Sequence, residues 1–179
     1  DPNKPPANWD EEVAFGKKLT VRDSAGKVTR WGLIVPSGVT SKWFLQGFTT
    51  PNQAKLTNEA GNETYLNTPA VIESLQQYVD LSRKHKIMQE GIIDTGTAPK
   101  EFIDGRAAMM HHSTGNLVNV KNNAKFDFGV AMLPARKQRG SATGGGSIYI
   151  FKKSTPEQLD ASFKFVKWMT SAEQAAKWS

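Results

Sequence analysis

Two adjacent imidazoles, His111 and His112, are the first residues whose type suggests metal chemistry. They follow an apolar run typical of a strand, where neighbouring side chains point to opposite faces. Two imidazoles on opposite faces chelate one ion poorly, and the third histidine, His85, falls at a predicted helix end. The chain has no cysteine, so thiolate ligands are absent as well. We therefore predict no metal site, and no motif in the chain indicates a cofactor.

One carboxylate, Asp94, stands in a setting that could support acid–base chemistry. The segment 92–97, Ile-Ile-Asp-Thr-Gly-Thr, resembles the catalytic loop of aspartic proteases, where two carboxylates share one proton. A single copy of this loop would need a homodimer. The alternative is a loop in which Asp94 and Thr95 hydrogen-bond to the backbone. Because the aspartic protease fold is almost all β, and this loop lies between two capped helices, we predict no catalytic residue.

Three other sites have residue types suited to binding rather than catalysis. Trp43 follows a Ser-Gly break, and its apolar face could stack on a sugar ring or pack in the core. Ser113-Thr114-Gly115-Asn116 lies where a predicted strand gives way to a helix, which suits either a bound hydroxyl or phosphate or plain N-capping. Gly144-Gly145-Gly146 lets a backbone approach a ligand closely, or is a flexible loop.

The chain is basic, with 23 lysines and arginines against 17 acidic residues and a formal charge of +6. Such a balance fits nucleic acid, an acidic membrane or an anionic ligand. The densest linear cluster, residues 136–140, falls in a predicted loop, and we interpret it as a solvated loop rather than a phosphate contact. No aromatic residue interleaves with it, so we predict no nucleic-acid partner.

Capping signals and apolar periodicity predict an alternation of helices and strands. Asn8 with Glu11, Thr68 with Pro69 and Thr155 with Gln158 mark helix starts. Predicted helices cover 8–18, 43–48, 68–86, 99–104, 113–120, 155–169 and a last short one capped by 171–174. Predicted strands cover 31–35, 107–110, 128–132 and 147–151. Strands that alternate with helices favour an α/β layered domain.

Two predicted helices also have predicted buried faces. The face of the 68–86 helix is Val71, Ile72, Leu75, Val79 and Ser82. The face of the 155–169 helix is Leu159, Phe163, Val166 and Met169.

Several segments together resemble the extracellular solute-binding proteins of ABC importers. The match lies in the order and spacing of short motifs over nearly the whole chain. These motifs are Pro-Pro-x-x-Trp-Asp-Glu at 5–11, Phe-x-x-Gly-x-Ala-Ala-Met at 102–109, Ser-Thr-Gly-Asn-Leu at 113–117, Phe-Asp-Phe-Gly-Val-Ala-Met-Leu-Pro at 126–134, Thr-Gly-Gly-Gly at 143–146 and Phe-Val-Lys-Trp-Met at 165–169. The branch that binds sugars and glycerol-3-phosphate is the most similar in these motifs.

This resemblance implies the C-terminal lobe of a type II periplasmic-binding-protein-like fold, a mixed sheet flanked by helices. Residues 1–179 would form a single α/β lobe. The N-terminal lobe and the family's last stretch after the C-terminal residue would then be missing. In such proteins two lobes joined by crossover strands enclose the ligand, so we expect this chain to hold only part of a cleft and to bind weakly alone.

The resemblance also implies which residues contact the solute. Trp43 would stack on it, while Ser113, Thr114, Gly115, Gly144 and Gly145 would provide hydroxyl and backbone N–H donors and allow close approach. Glycerophosphate binders of the family carry a further aromatic shortly before the stacking residue, where this chain has Val39, Thr40 and Ser41. A sugar and a glycerophosphate therefore both remain open as the solute.

The expected role is the substrate-binding component of an ABC transporter, with a membrane permease as partner and no enzymatic activity. It would work in the periplasm or outside the cell, membrane-associated through its permease. Two alternatives stay open at this point: an aspartic-protease-like enzyme that uses Asp94 in a homodimer, and a non-catalytic protein-interaction module.

Overall fold

The structure of the chain is a computed structural model that describes residues 3–38 and 42–178, with the side chain of the last of these left out. Val39, Thr40 and Ser41, where the resemblance implies a difference from glycerophosphate binders, lie outside the described residues. The chain divides into two compact units, residues 1–143 and 144–179. In the described part of the chain, no helix combines the length and apolar character needed to cross a membrane.

The first helix, α1 (Trp9–Leu19), begins where the capping signal predicts. The Asn8 side chain accepts a hydrogen bond from the Glu11 amide at 2.9 Å. The Glu11 carboxylate in turn accepts from the Ala7 amide at 2.8 Å, one residue before the usual capping-box partner. Acidic residues in the first turn and basic residues in the last suit the helix dipole.

A two-stranded antiparallel hairpin follows, with β1 at Val21–Arg22 and β2 at Val28–Arg30. Its turn is closed by Asp23, whose side chain accepts from the amides of Ala25 and Lys27. Gly26 has a φ of +80°, which an L side chain rarely adopts. This turn therefore joins two short strands that follow the end of α1.

The predicted strands at 31–35 and 107–110 run side by side, but as isolated parallel bridges rather than a continuous ladder. The bridges join Trp31 to Ala107 and Ile34 to Met110. Leu33, Ile34 and Val35 are fully buried here. Parallel pairing of two segments so far apart in the chain is the pattern expected of an α/β domain.

Helix α1 lies unusually close to this buried segment. A Cβ built on Gly32 would stand 2.0 Å from the Gly16 carbonyl oxygen, and a Cβ on Gly16 would stand 2.5 Å from Cδ1 of Ile87. The Gly32 position therefore excludes any larger residue, whereas a larger residue at Gly16 would require the Ile87 side chain to shift. Leu33 adds a backbone hydrogen bond to Ile87 at 3.1 Å, so α1, the buried segment and the chain around Ile87 meet at one point.

Helices α2 (Lys42–Thr49) and α3 (Pro69–Arg83) pack against each other. The predicted buried face of α3 is wrong for Ile72, Leu75 and Val79, which are exposed, and right for Val71 and Ser82. Contacts outside the helix determine the face: the buried Asn52 amide donates to the Ala70 carbonyl and the Ser74 hydroxyl. The buried face of α3 includes Ser74 and Leu81 and is therefore rotated from the predicted face. Hydrophobic periodicity could not predict this rotation.

Further along, α4 (Thr97–Ile103) ends before Gly105, whose φ is +72°. A 3₁₀ helix (Thr114–Asn116) then leads into α5 (Leu117–Asn123). The predicted helices at 99–104 and 113–120 correspond to these elements.

The strands predicted at 128–132 and 147–151 are wrong. Neither segment pairs with a neighbouring strand among the residues that the structure describes. Val130 and Met132 in the first segment and Tyr149 and Phe151 in the second are exposed. An apolar, alternating sequence has strand propensity, but a strand forms only where another backbone supplies hydrogen-bond partners.

The second unit contains α6 (Pro156–Met169) and α7 (Ala172–Trp178). The predicted capping box is present: Gln158 and Thr155 each accept from the other's backbone amide. The predicted buried face is wrong within this unit, since Leu159 and Phe163 are exposed and α6 has no buried residue among those described. At the start of α7 the Ser171 hydroxyl donates to the Trp168 carbonyl, and the Ser171 carbonyl accepts from the Ala175 amide.

The core of the first unit is centred on the ring of Phe48. It stacks on Tyr78 with ring centroids 5.0 Å apart and contacts the rings of Trp9 at 6.1 Å and His111 at 5.7 Å. The Tyr78 hydroxyl donates to the Pro36 carbonyl, and burial raises the pKa of Tyr78 above its ordinary range. One aromatic ring thereby joins α1, α2, α3 and the residue that follows the buried segment 107–110.

The basic loop at 136–140 is anchored rather than freely solvated. Arg136 donates two hydrogen bonds to one carboxylate oxygen of Glu73, at 3.0 and 2.6 Å, and its guanidinium lies 5.5 Å from the centre of the Trp9 ring. Asn52 donates to the other Glu73 oxygen at 2.9 Å. The hydrogen bond from Asn52, followed by that from Arg136, lowers the pKa of Glu73.

The Glu73 interactions predict a pH-dependent contribution to stability. A carboxyl whose pKa is lowered by folding stabilises the folded state at pH values above its ordinary pKa of 4.5. That contribution is lost as the pH falls through the folded-state pKa. We expect Glu73→Gln to reduce the free energy of unfolding at neutral pH by less than about 1 kcal/mol, since the group is partly exposed. Urea unfolding of both proteins over a pH series measures this difference, which should vanish in acid.

Glu59→Gln, on an exposed turn, is the matched control and should show no such trend. A Glu73→Gln difference that persists unchanged into acid would contradict the assignment.

A buried acid–base pair generates the second stability prediction. Glu12 on α1 is 1% exposed, and its Oε1 lies 2.6 Å from Nε2 of His111. Removing one member of such a pair leaves a buried charge without its partner, so His111→Leu should cost about 3–5 kcal/mol. Glu12→Met combined with His111→Leu should cost much less than the two single changes added together, as urea unfolding of the four proteins will measure. If the unfolding free-energy costs of the two single changes add up to that of the double change, the two side chains are not coupled.

Candidate functional site

Trp43 lies in the first turn of α2 and is 48% exposed. The ammonium of Lys42 lies 5.7 Å from the centre of the indole ring, which is a cation–π distance. Trp43 was expected either to stack on a sugar ring or to pack in the core. In the first unit it does not pack in the core. The indole is exposed at a helix start, and the stacking role that the family resemblance implies stays a prediction.

Ser113, Thr114 and Gly115 form an exposed turn directly after the segment 107–112, in which Ala107 and His111 are buried. The Ser113 hydroxyl oxygen accepts from the Gly115 amide at 3.2 Å, and the Ser113 carbonyl accepts from the Asn116 amide at 3.0 Å. The predicted capping role of the turn is thus present. The Ser113 and Thr114 side chains are exposed, and their role toward a solute stays a prediction.

One aromatic contact brings the Trp43 helix and the Ser113 turn together. The rings of Phe44 and His112, each adjacent in sequence to a predicted solute-contacting residue, have centroids 5.4 Å apart. Nε2 of His112 lies 2.9 Å from the Thr95 carbonyl, and because a carbonyl only accepts, Nε2 carries the proton. Nδ1 of His112 is buried and has no partner in the described part of the chain. Sequence analysis missed Phe44 and His112 as site residues.

The preceding residue anchors the same turn from the opposite side. His111 contacts Glu12 of α1 and the Phe48 ring, whereas His112 contacts Phe44 and Thr95. The two imidazoles therefore point to different elements, as the alternation of a strand requires. Across the described ranges 3–38 and 42–178 there is no group of three or more His, Cys, Asp or Glu side chains that could hold a metal ion.

The Asp94 loop is an exposed turn that leads into α4. The Asp94 carbonyl accepts from the Thr97 amide at 2.9 Å, and Ile93 before it is fully buried. Ser37 and Gly38 both donate backbone hydrogen bonds to the Ile93 carbonyl, which ties this loop to the end of the 31–38 segment. The loop therefore sits in a helical domain and not in an aspartic-protease-like β fold.

Gly144 and Gly145 belong to the second unit and are exposed. A Cβ added at either one would meet no atom within 4 Å. Packing in the described structure therefore does not require glycine at these positions. The predicted close approach of a solute to this backbone remains a prediction.

Two open grooves lie near the predicted contacts in the first unit. One of about 710 Å³ begins one helical turn after Trp43, at Gln46, and continues along the 54–60 segment to Tyr65. The other, of about 360 Å³, lies between α4 and α5 and includes Lys100. Asn116, directly after the Ser113 turn, lines it together with Asn119 and Asn123. The sequence contained no signal for the first groove beyond the polar turn that lines it.

Several curated relatives are similar over 99% of this chain. They include the sn-glycerol-3-phosphate-binding periplasmic proteins UgpB of Yersinia pseudotuberculosis, at 27% identity, and of Escherichia coli K12, at 26%. The chain spans only 41% of the length of these relatives.

Solved structures confirm the predicted fold class. The maltose/maltodextrin-binding domain MalE of Bdellovibrio bacteriovorus, bound to maltotriose, is 29% identical with a TM-score of 0.74, over 94% of this chain and 44% of that one. UgpB of Mycobacterium tuberculosis, in complex with glycerophosphocholine, shares the fold with a TM-score of 0.80 at 23% identity, over 99% of this chain and 45% of that one. Residues 2–179 match the family model described as bacterial extracellular solute-binding protein, and the chain belongs to that family.

Proposed function

We propose that the protein containing this chain captures a carbohydrate or a glycerol-3-phosphate-like solute and hands it to an ABC permease for import. The observation that carries the proposal is the family match over residues 2–179, together with relatives named as sn-glycerol-3-phosphate-binding proteins and a maltotriose-bound structural neighbour. The protein would work in the periplasm or outside the cell and be membrane-associated through its permease. It would catalyse no reaction.

The first part of the proposed contact surface is the pair formed by Trp43 and the Ser113 turn. The exposed indole would stack on the apolar face of a sugar ring or against a glycerol chain. Ser113, Thr114 and Gly115 would supply hydroxyl groups and a backbone N–H to solute hydroxyl or phosphate oxygens. The Phe44–His112 contact supports this arrangement, because it connects the two segments that carry these groups.

The second part is the glycine loop. Gly144 and Gly145 would let the solute approach the backbone, and their open surroundings leave room for it. In the whole protein, a second lobe would close over this surface by hinge motion. A chain that provides one side of such a cleft encloses little of a solute, so we propose weak binding by the chain alone.

Titration of the isotope-labelled chain with maltotriose and with glycerol-3-phosphate tests the contacts. We expect fast-exchange NMR shifts at the indole N–H of Trp43 and at the amides of Ser113, Thr114 and Gly115, because weak ligands exchange rapidly. Trp43→Ala should abolish the shifts at the Ser113 turn. Trp168→Ala is the matched control, since that tryptophan is also exposed but lies on α6.

Two results would speak against these contacts. One is a solute that shifts residues elsewhere and leaves the Ser113 turn unchanged. The other is micromolar sugar affinity of the chain alone, which would mean that it holds a complete site. Peptidase activity that is lost in Asp94→Asn would instead support the enzyme alternative.

The His112 link generates a separate prediction about the positioning of the site. His112→Ala removes one hydrogen bond and one ring contact, so it should cost about 1–2 kcal/mol of unfolding free energy. It should also shift the Trp43 indole signal without any solute, because the ring between the two segments is lost. His112→Gln keeps a donor for the Thr95 carbonyl and should recover part of the stability. An unchanged Trp43 indole signal in His112→Ala would show that the Phe44–His112 contact does not position the two segments.

A further inference from the structure

Basic side chains gather at one end of the first unit, although they are scattered in the sequence. Lys17 and Lys18 lie in the last turn of α1, and the hairpin that follows carries Arg22, Lys27 and Arg30. The end of α3 and the residues after it add Arg83, Lys84 and Lys86. We call these eight residues the basic end.

Backbone contacts bring the three segments of the basic end together. Arg30 donates to the Leu19 carbonyl at 3.2 Å, which ties the hairpin to α1. Gly16 of α1 abuts Ile87, which directly follows Lys86. The positive charge of Lys17 also contributes, after burial, to a lowered pKa of His85, as expected if the end of α1 faces the end of α3.

Few acidic groups neutralise this charge. The same segments carry Asp23, Asp80 and Glu90. Asp23 accepts from backbone amides in the hairpin turn, while Asp80 lies 3.7 Å from Lys84 and Glu90 lies 2.7 Å from Lys86. No salt bridge involves Lys17, Lys18, Lys27 or Arg83 among the described residues, and all four are exposed. Their charge is therefore available to a partner.

The composition of the basic end indicates which kind of partner could bind it. The two grooves described above are lined by residues outside the basic end. The segments 17–30 and 83–90 contain no Phe, Tyr or Trp, the aromatic residues that are enriched at protein–protein interfaces together with Met and Arg. Exposed lysines and arginines without aromatic neighbours in the sequence fit an extended array of phosphates.

We propose that the basic end adsorbs to an anionic lipid surface, where each exposed lysine or arginine adds an increment of electrostatic attraction to phosphate headgroups. The family is extracellular, and the solute must finally reach a membrane. Adsorption through this end would keep the protein near the bilayer independently of any permease contact. The attraction is screened by salt, because the charges are exposed.

Sedimentation with lipid vesicles tests the proposal. The chain should bind vesicles that contain phosphatidylglycerol and phosphatidylcholine in equal amounts, should not bind phosphatidylcholine alone, and should be released by high salt. Lys17→Glu with Lys18→Glu should weaken binding by about tenfold or more. Lys121→Glu with Lys125→Glu is the matched control, because it changes the net charge by the same amount and also removes a basic residue from the last turn of a helix. This control should retain most of the binding.

Three outcomes would overturn the proposal: no binding to the anionic vesicles, equal loss in both double variants, or binding to phosphatidylcholine alone. Lys27→Glu with Arg83→Glu repeats the test on two other segments if the α1 variant fails to fold. Loss of binding in that folded variant supports the basic end as the contact surface, and retained binding contradicts it.

Discussion

The contact between Glu12 and His111 joins parts of the chain that no local signal connects. Glu12 lies in the first turn of α1, and His111 ends the segment that pairs in parallel with 31–35. Because the carboxylate is buried, it must keep its imidazole partner or be replaced together with it. The Phe48 ring lies against the same imidazole, so the pair belongs to the aromatic core rather than standing beside it. The Ser113 turn begins two residues later, and its position depends on this buried contact.

Helix starts could be predicted from the sequence because capping is local. Asn8 and Thr155 each accept a hydrogen bond from the amide three residues on, which the residue types alone indicate. The strands at 128–132 and 147–151 could not be predicted reliably, because pairing requires a partner from elsewhere. The buried face of α3 was displaced for a similar reason, since the buried amide of Asn52 contacts Ser74. Local chemistry is visible in a sequence, while distant partners are not.

For the candidate site as well, the sequence indicates individual residues but not the contacts that bring them together. The order of short motifs included the Ser113 turn, and the resemblance implied Trp43 as a solute contact, neither of which required knowing their spatial relation. What connects them is a contact between their sequence neighbours, Phe44 and His112. Two adjacent histidines suggested a metal and proved to be two structural anchors with different partners. The basic end is another example, because its charges are distant in sequence and the linear cluster at 136–140 is not part of it.

The contact between Gly16 and Gly32 has a consequence for how this protein can change over generations. Glu12 lies one helical turn before Gly16, so a side chain that displaced α1 at the glycines would also move the carboxylate that holds His111. A substitution at this backbone contact would therefore affect the Ser113 turn through His111, although no residue of the turn had been replaced. A library that diversifies the Ser113 turn should keep Gly32 constant and vary exposed positions such as Thr114.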